Sequence, residues 1–277
     1  MKKKMKASSV VAYVVLILFA AVDLIPFIWM LLSSFKPQSE LFVFPPKILP
    51  QVWMPENYVN AWNAGGLDFG RMFINTFIIV IPVTVFGILS ASLAAFAFAR
   101  IPFKGREFMF ALFLSSMMVP ICVTLIPRFL LFGKLGWVDT FYPLIVPGLF
   151  GTAFGVFLLR QFFMTIPAAL EEAAIIDGAS RLRIWAFIFM PLSTAIIATL
   201  TVFIFQYNYN DLINPLIYIN SKTKFTIQLG LASFRGMYKT RYDLLMAASV
   251  FTTVPILILY MSAQKYFVQG IVTTGLK

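Results

Sequence analysis

The acidic residues best placed to do chemistry lie in one polar stretch, residues 166–192, whose sequence is IPAALEEAAIIDGASRLRIWAFIFMPL. Glu171, Glu172 and Asp177 lie there beside small residues, within an otherwise apolar second half of the chain. Carboxylates accept charge-assisted hydrogen bonds from arginine and lysine, and alanines such as Ala173 and Ala174 allow another surface to come close. This combination predicts the docking of a partner protein.

Several classes of enzyme are excluded by residue types that the sequence lacks. The 277 residues include no histidine, which removes the commonest proton shuttle and metal ligand. The one cysteine, Cys122, lies in an apolar run and cannot form an intrachain disulfide. No G-x-x-x-x-G-K-[ST] motif occurs, and Gly133-Lys134 lacks the preceding glycine loop of a P-loop. We therefore expect no metal, no cofactor and no ATP site on this chain.

A second polar tract, Gln206 to Asp211, has the types of residue that bind sugars. Amides and carboxylates hydrogen-bond sugar hydroxyls, and tyrosine rings stack on the apolar side of a pyranose. The alternative is an interfacial belt of aromatic residues with asparagines that end a helix. The candidates for a substrate path are Asn75, Thr76, Thr124, Tyr207, Asn208, Asn210 and Asp211.

The docking stretch is predicted to fold as a short helix, a glycine bend and a second helix. Thr165 can cap the first helix, and Pro167 suits its first turn because no N–H is needed there. Ala168–Asp177 then forms about three turns. Gly178 suits a left-handed cap, and Ser180 can cap the second helix, which leads into a membrane span.

The composition is that of an integral membrane protein. Hydrophobic residues make up 60% of the chain and charged residues 12%, and the mean hydropathy is +0.88. The net charge of +11 is spread over short loops between apolar runs. Such a distribution is typical of topology control and contact with lipid phosphates, so we expect no nucleic-acid partner.

The apolar runs predict an all-α protein that forms a single transmembrane domain, residues 1–277, with six spans. The spans are residues 10–32, 73–99, 108–131, 141–163, 187–207 and 244–267. Small residues in the second span favour close helix packing, and Pro120 and Pro127 predict kinks in the third. Asp23, near the middle of the first span, is interpreted as an acid that faces a partner or water, with a coupling or substrate role as the alternative.

Positive charge predicts which side of the membrane each loop occupies. Basic residues are dense in the short loops of one side, which should therefore be cytoplasmic: Lys2, Lys3, Lys4 and Lys6, then Arg100, Lys104 and Arg106, then Arg160, Arg181 and Arg183, and finally Lys265 and Lys277. This distribution predicts two cytoplasmic termini and places the loop 165–191 in the cytoplasm.

The docking stretch resembles the EAA loop of membrane subunits of ATP-binding-cassette importers. The resemblance is carried by Glu172-Ala173-Ala174, Asp177-Gly178-Ala179 and Met190-Pro191. The order of segments is similar to the carbohydrate-permease branch that includes maltose systems, with Tyr209-Asn210-Asp211 before Pro215 and the ending QKYFVQG. Met190 replaces the usual leucine, and Tyr209 replaces a common tryptophan.

The resemblance implies a type I importer permease in the cytoplasmic membrane, which is not itself an enzyme. Glu172, Ala173, Ala174, Asp177, Gly178 and Pro191 would form the coupling loop, whose helix inserts into a separate ATPase subunit. The implied assembly has a second, related permease subunit, two ATPase subunits that bind ATP and Mg²⁺, and an extracytoplasmic solute-binding protein. The implied cargo is a sugar, in particular an oligosaccharide, and residues 269–275 would reach the ATPase pair.

Two alternatives remain at this point. The first is a permease of the same kind for a polyamine or phosphate, against which the ending QKYFVQG speaks. The second is an ion-coupled secondary transporter, which would need intramembrane ionisable groups and often an internal repeat. Asp23 is the only strong mid-span acid and no clear repeat occurs. Replacing Glu172 by lysine or Gly178 by a bulky residue is expected to uncouple transport.

Overall fold

The computed structural model describes residues 7–63, 66–235 and 240–274, and nearly all regular structure in these ranges is helical. A single isolated β-bridge joins Arg235 and Thr240 within them. The α-helices of the described residues are α1 (Ala7–Ser33), α2 (Glu56–Trp62), α3 (Phe69–Arg100), α4 (Arg106–Ser115), α5 (Ile121–Lys134), α6 (Tyr142–Ile145), α7 (Ala153–Thr165), α8 (Ala168–Ile176), α9 (Arg181–Ile184), α10 (Met190–Leu192), α11 (Thr194–Tyr209), α12 (Ile213–Tyr218), α13 (Ile227–Ser233) and α14 (Tyr242–Thr274). Shorter 3₁₀ segments are Gln38–Glu40, Ser116–Met118, Val146–Phe150 and Lys222–Lys224, and Trp185–Phe189 is a π-helix.

Four helical segments are long and apolar enough to cross a membrane, and two bent pairs raise the number to as many as six. The four are Ser9–Ser33, Phe69–Arg100, Tyr142–Thr165 and Tyr242–Tyr266. The bent pairs are Arg106–Met118 with Ile121–Lys134, at 94°, and Arg181–Leu192 with Thr194–Tyr218, at 82°. The apolar helices confirm a multi-pass membrane protein. Six separate crossings stay a prediction.

Proline explains only one of the two breaks expected in the third span. Pro120 precedes α5 with an extended backbone, at φ −61° and ψ 139°, and the chain turns sharply there. A residue without an N–H cannot continue the hydrogen bonds of the preceding helix. Pro127 lies inside α5, and the helix continues past it to Lys134.

The chain divides into two compact units, so the single domain predicted from the sequence stays a prediction. The first unit comprises residues 1–69 and 230–254. Within it, Phe251 of α14 packs against the rings of Trp62 and Phe69. Helix α1 has an apolar surface that is exposed along its length, and Asp23 is exposed on it.

The second unit, residues 70–229 and 255–277, contains the main helical core. Ala91 of α3, Leu159 of α7 and Leu200 of α11 are completely buried in it. The close packing expected of small residues is present, because a Cβ added to Gly148 would lie 2.7 Å from Val83 Cγ1. A Cβ added to Gly151, which has φ +77°, would lie 2.9 Å from the Ala91 nitrogen. Only glycine permits this approach of backbone to helix.

The last helix extends beyond the last predicted span. Helix α14 continues to Thr274, whereas its segment that could cross a membrane is Tyr242–Tyr266, close to the predicted span of residues 244–267. The tail segment 269–274 is therefore helical, while its predicted last residue, Gly275, lies outside the described residues. The N-terminal lysines used for the sidedness prediction also lie outside them.

Candidate functional site

Helix α8 ends as the sequence predicted and begins differently. Gly178 adopts φ +76°, the Ala179 amide donates to the Ala174 carbonyl at 2.9 Å, and the Gly178 amide donates to the Ile175 carbonyl at 3.0 Å. These two bonds form a Schellman cap, which satisfies carbonyls at the end of the helix. The predicted cap by Thr165 is wrong: Thr165 is the last residue of α7, and its hydroxyl donates to the Phe162 carbonyl at 2.7 Å.

The start of α8 is set by Pro167, and the start of α9 by Ser180. Pro167 occupies the position before the first helical residue, with φ −58° and ψ 134°. The Ser180 hydroxyl accepts a hydrogen bond from the Arg183 amide at 3.3 Å, as predicted. The chain then passes through the π-helix to Pro191 in α10 and bends at Ser193 before α11. The predicted order of helix, glycine bend and helix is present.

Fewer of the predicted docking residues are exposed on α8 than the sequence suggested. Glu172, Ala173 and Asp177 are exposed, as a docking surface requires. Ala174 is 8% exposed and packs into the main core, so its predicted approach to a partner is wrong. Ile176 is 85% exposed and adds an apolar side chain beside the acids. A surface that combines acids with an exposed apolar side chain is suited to a protein partner.

Glu171 is also not part of the exposed acidic surface, which corrects the sequence interpretation. It is 8% exposed, and its carboxylate accepts a hydrogen bond from the Arg181 guanidinium. Its second oxygen lies 3.9 Å from Nη1 of Arg100. Sequence reasoning missed this cluster because Arg100 lies 71 residues before Glu171, and only the fold brings them together.

Three residues of the predicted sugar-binding tract meet in a cavity of about 240 Å³. Tyr207, Asn208 and Asp211 line it together with Val83, Gly87, Ile121, Arg128, Pro143, Leu144, Pro147, Gly148, Gly151, Thr152, Ile204 and Asn214. A neighbouring cavity of about 610 Å³ shares Tyr207 and Asp211 and also includes Asn210 and Gln206. The tract therefore borders hollow space within the second unit.

The side chains of this tract differ in their solvent exposure and in their hydrogen bonds. Tyr207 is 67% exposed, whereas Tyr209 is buried and its ring stacks on the ring of Phe205, with the ring centres 5.5 Å apart. The Asp211 carboxylate accepts from the Asn214 amide at 3.1 Å and from the Asn214 side chain at 2.8 Å. Asp211 therefore stabilises the start of α12 while it lines both cavities.

Of the candidates outside this tract, Thr76 lines a third, smaller cavity together with Asn208 and Asp211, whereas Asn75 and Thr124 line none of these three cavities. Asn75 is buried, and its side-chain amide donates to the carbonyls of Thr223 and Phe225, both at 3.0 Å. Thr76 accepts from the Ile227 amide at 3.0 Å. Thr124 donates to the carbonyl of Ile121 at 3.0 Å. The bonds of Asn75 and Thr76 join α3 to the start of α13 and to the segment before it.

Arg128 is a cavity residue that was not among the candidates from the sequence. It lies inside α5, and its guanidinium is 5.9 Å from the centre of the Phe132 ring. A signal for it was available: Ile121 and Arg128 are seven residues apart, which places them on one side of a helix. Both line the smaller cavity.

Asp139 organises a loop of the second unit and was also missed. It adopts φ 59°, and its carboxylate accepts from the backbone amides of Asn220 and Ser221 at 3.0 and 2.9 Å. The Ser221 hydroxyl donates to Oδ2 of Asp139 at 2.5 Å, and Nζ of Lys224 lies 3.3 Å from the same oxygen. The hydrogen bonds from Ser221, then Asn220 and Lys224, hold the pKa of Asp139 well below its usual range. This carboxylate fixes the segment 219–224.

Relatives of the chain are membrane components of transport systems. It is 34% identical to the trehalose/maltose transport system permease protein MalG of Thermococcus litoralis, over 94% of each chain. It is 32% identical to the arabinooligosaccharides transport system permease protein AraQ of Bacillus subtilis, over 92% of this chain and 90% of that protein. It is 30% identical to the diacetylchitobiose uptake system permease protein NgcG of Streptomyces coelicolor, over 96% of this chain and 87% of that protein.

The fold is also that of a solved transporter chain. A crystal structure of a bacterial ABC transporter involved in the import of the acidic polysaccharide alginate superposes with a TM-score of 0.77. The two chains are 23% identical, and the match covers 96% of this chain and all of that one. The family model of the binding-protein-dependent transport system inner membrane component matches residues 83–273. The chain therefore belongs to the family of inner membrane components of binding-protein-dependent transport systems.

Proposed function

We propose that the chain is the permease subunit of an ATP-driven importer and moves an oligosaccharide across the cytoplasmic membrane. The observation that carries this proposal is the pairing of an exposed, capped helix, α8, with a cavity at the far end of α11 whose wall includes Tyr207, Asn208 and Asp211. Helix α11 runs for sixteen residues from the bend at Ser193 to Tyr209, within the sugar-binding tract, a length of about 24 Å. One helix thus links the docking region to the substrate path.

The energy source in this proposal is a separate ATPase subunit that docks on α8. Glu172 and Asp177 offer carboxylates to basic residues of that partner, and Ile176 offers an apolar contact. An amphipathic helix that lies on a lipid surface would instead carry basic residues on its polar side. The ATP and Mg²⁺ are bound by the partner, because this sequence has no P-loop.

The cargo in this proposal is a sugar that passes Tyr207 and Asn208. The exposed ring of Tyr207 can stack on a pyranose, and the side chains of Asn208 and Asn214 can hydrogen-bond hydroxyls. Relatives named for arabinooligosaccharides and trehalose/maltose transport support this class of substrate. The cavity wall includes both the Arg128 guanidinium and the Asp211 carboxylate, so its charge favours neither a cationic polyamine nor phosphate.

The arrangement in the membrane follows from the same proposal. Each bent helix pair crosses once, so that six crossings leave both termini and the loop 165–191 in the cytoplasm. The assembly contains a second, related permease subunit, two ATPase subunits and an extracytoplasmic solute-binding protein. A crystal structure of a bacterial alginate ABC transporter in complex with an alginate pentasaccharide-bound periplasmic protein shares the fold, with a TM-score of 0.65. An open apolar helix such as α1 suits contact with lipid or a second subunit.

The test is uptake by the complete transporter reconstituted in lipid vesicles. Labelled mono- and oligosaccharides, a polyamine and phosphate are offered outside, with the solute-binding protein, and ATP is enclosed with the ATPase. We expect ATP-dependent uptake of an oligosaccharide and co-purification of an ATPase with this chain. Uptake driven by an ion gradient in the absence of ATP would overturn the proposal, as would uptake of the polyamine or phosphate alone.

A further inference from the structure

We propose that Arg100, Glu171 and Arg181 form a charged joint that sets the position of α8 on the helical core. In this view Arg100 and Glu171 are positioning residues for energy coupling, although neither contacts the partner. The inference rests on the proposed function, because it takes α8 to be the surface on which the ATPase docks.

Arg100 links three parts of the chain through one guanidinium. It is the last residue of α3, and its Nη2 donates to the carbonyl of Phe163 at 2.5 Å and to the carbonyl of Ile166. Those carbonyls belong to the last turn of α7 and to the connection into α8, where backbone oxygens carry partial negative charge. Its Nη1 lies 3.9 Å from Glu171. A cation at this point therefore holds the α7–α8 connection to the end of α3.

Each carboxylate oxygen of Glu171 is paired with a different guanidinium. The side chain of Glu171 is 10% exposed and the side chain of Arg100 is 11% exposed, so water screens this contact little. The other carboxylate oxygen accepts from Arg181, the first residue of α9. The carboxylate thus connects α3 to α8 and α9, and these last two helices lie directly before and after the Gly178 bend.

Few other contacts hold α8 in place. Of its nine residues only Glu171 and Ala174 are buried. Alanine buries little apolar surface, so the contribution of hydrophobic burial to the orientation of α8 is small. The next residue after Glu171 is the exposed Glu172, and a rotation of the helix about its axis would move both. The charged joint therefore sets the direction in which the docking residues point.

A second ion pair in the same region provides a matched control. Arg160 of α7 donates to both oxygens of Glu107 in α4, at 2.8 and 2.9 Å, and to the carbonyl of Phe98 at 3.2 Å. This pair connects α7 with α4 and α3 and includes no residue of α8. Glu171→Gln and Glu107→Gln are the same chemical change, but only the first removes a charge from the joint.

The experiment measures the number of ATP molecules hydrolysed per sugar transported, with the complete complex in vesicles. We expect Glu171→Gln to assemble with the ATPase and to raise this ratio roughly 10- to 100-fold, because displacement of a positioned group by about 1 Å has effects of this size. Glu107→Gln should stay within about twofold of the unmodified complex. A Glu171→Gln ratio equal to that of Glu107→Gln overturns the inference, because a merely bracing ion pair changes the amount of complex and not its coupling.

A milder variant keeps the test decisive if Glu171→Gln does not fold. The Arg181 side chain is 49% exposed, and Arg181→Gln leaves the contact between Arg100 and Glu171 in place. We expect it to raise the ratio by a smaller factor, roughly 2- to 5-fold, and a ratio equal to that of Glu107→Gln overturns the inference. If the unmodified complex shows no ATP-driven uptake, the proposed function fails, which is a different result.

Discussion

The bend at Gly178 is the feature of the docking region whose energetics the structure defines best. Gly178 has φ +76°, and the turn holds two backbone hydrogen bonds, from Ala179 to Ala174 and from Gly178 to Ile175. No atom lies within 4 Å of a Cβ added to Gly178. The cost of a substitution is therefore conformational, and the reason for expecting harm from a bulky residue is the backbone angle and not a steric clash.

The size of the effect follows from the backbone. A non-glycine residue in the left-handed region costs roughly 1–2 kcal/mol, and asparagine tolerates it better than alanine or valine. The two hydrogen bonds of the turn together contribute about 1–3 kcal/mol. Because these magnitudes are similar, Gly178→Ala should keep the turn but open it roughly 5- to 30-fold more often. The turn should open least often in Gly178→Asn, more often in Gly178→Ala and most often in Gly178→Val.

Hydrogen exchange followed by mass spectrometry measures this opening in the purified chain. The peptide 166–184 should exchange faster in the order given, in step with a falling transport rate in the reconstituted complex. Gly136→Ala is the control, because Gly136 has φ +68° with no atom within 4 Å of an added Cβ and lies elsewhere in the chain. It should leave exchange in 166–184 unchanged. Equal exchange in the Val variant and the unmodified chain, or faster exchange in the Asn variant than in the Ala variant, would refute the reasoning.

Three further predictions concern packing, a loop and the cavity. Gly151→Ala should destabilise the chain by about 2–4 kcal/mol in thermal unfolding, because the new residue would combine a positive φ with a Cβ 2.9 Å from a backbone nitrogen. The control, Gly133→Ala, should be neutral or stabilising, since no atom lies within 4 Å of a Cβ added there. Equal melting temperatures for the two variants would contradict this prediction. Asp139→Asn should lower the melting temperature by a few degrees at pH 7, and the difference from the unmodified chain should shrink as the pH falls below about 4, because a carboxylate with a lowered pKa stabilises the fold above its unfolded pKa. A difference that is constant from pH 7 to pH 3 would show that the ionised carboxylate is not what stabilises the loop. Tyr207→Ala should weaken the apparent affinity for the sugar roughly 3- to 10-fold while Tyr207→Phe preserves it, and equal affinities of both variants would remove the stacking role of the ring.

Local signals in the sequence were sufficient for the docking helix. The left-handed bend at Gly178 and the cap at Ser180 follow from residue type and position alone, and both were confirmed. The cap at Thr165 failed because α7 extends to that residue, so the hydroxyl turns back to its own helix. Where a preceding helix ends depends on packing, which residue preference does not determine.

Contacts between distant residues could not be predicted in this way. Glu171 was interpreted as one of the acids of the docking surface, together with Glu172 and Asp177, but Arg100 and Arg181 pair with it in a nearly buried position. Asn75 was a candidate for the substrate path because amides suit sugars, but its partners are carbonyls some 148 and 150 positions away. A polar side chain in a membrane span can either contact substrate or form a hydrogen bond within the protein, and only the fold shows which partner lies near it.

The central claim is that the exposed acids of α8 dock a separate ATPase and couple it to transport. Its most direct test compares Glu172→Lys with Glu56→Lys, which reverses the charge of an exposed glutamate at the start of another short helix, α2. Substrate-stimulated ATP hydrolysis and sugar uptake are measured in the reconstituted complex. We predict that Glu172→Lys abolishes both while the chain remains folded, and that Glu56→Lys retains both. Unchanged stimulation and uptake in Glu172→Lys would contradict the claim.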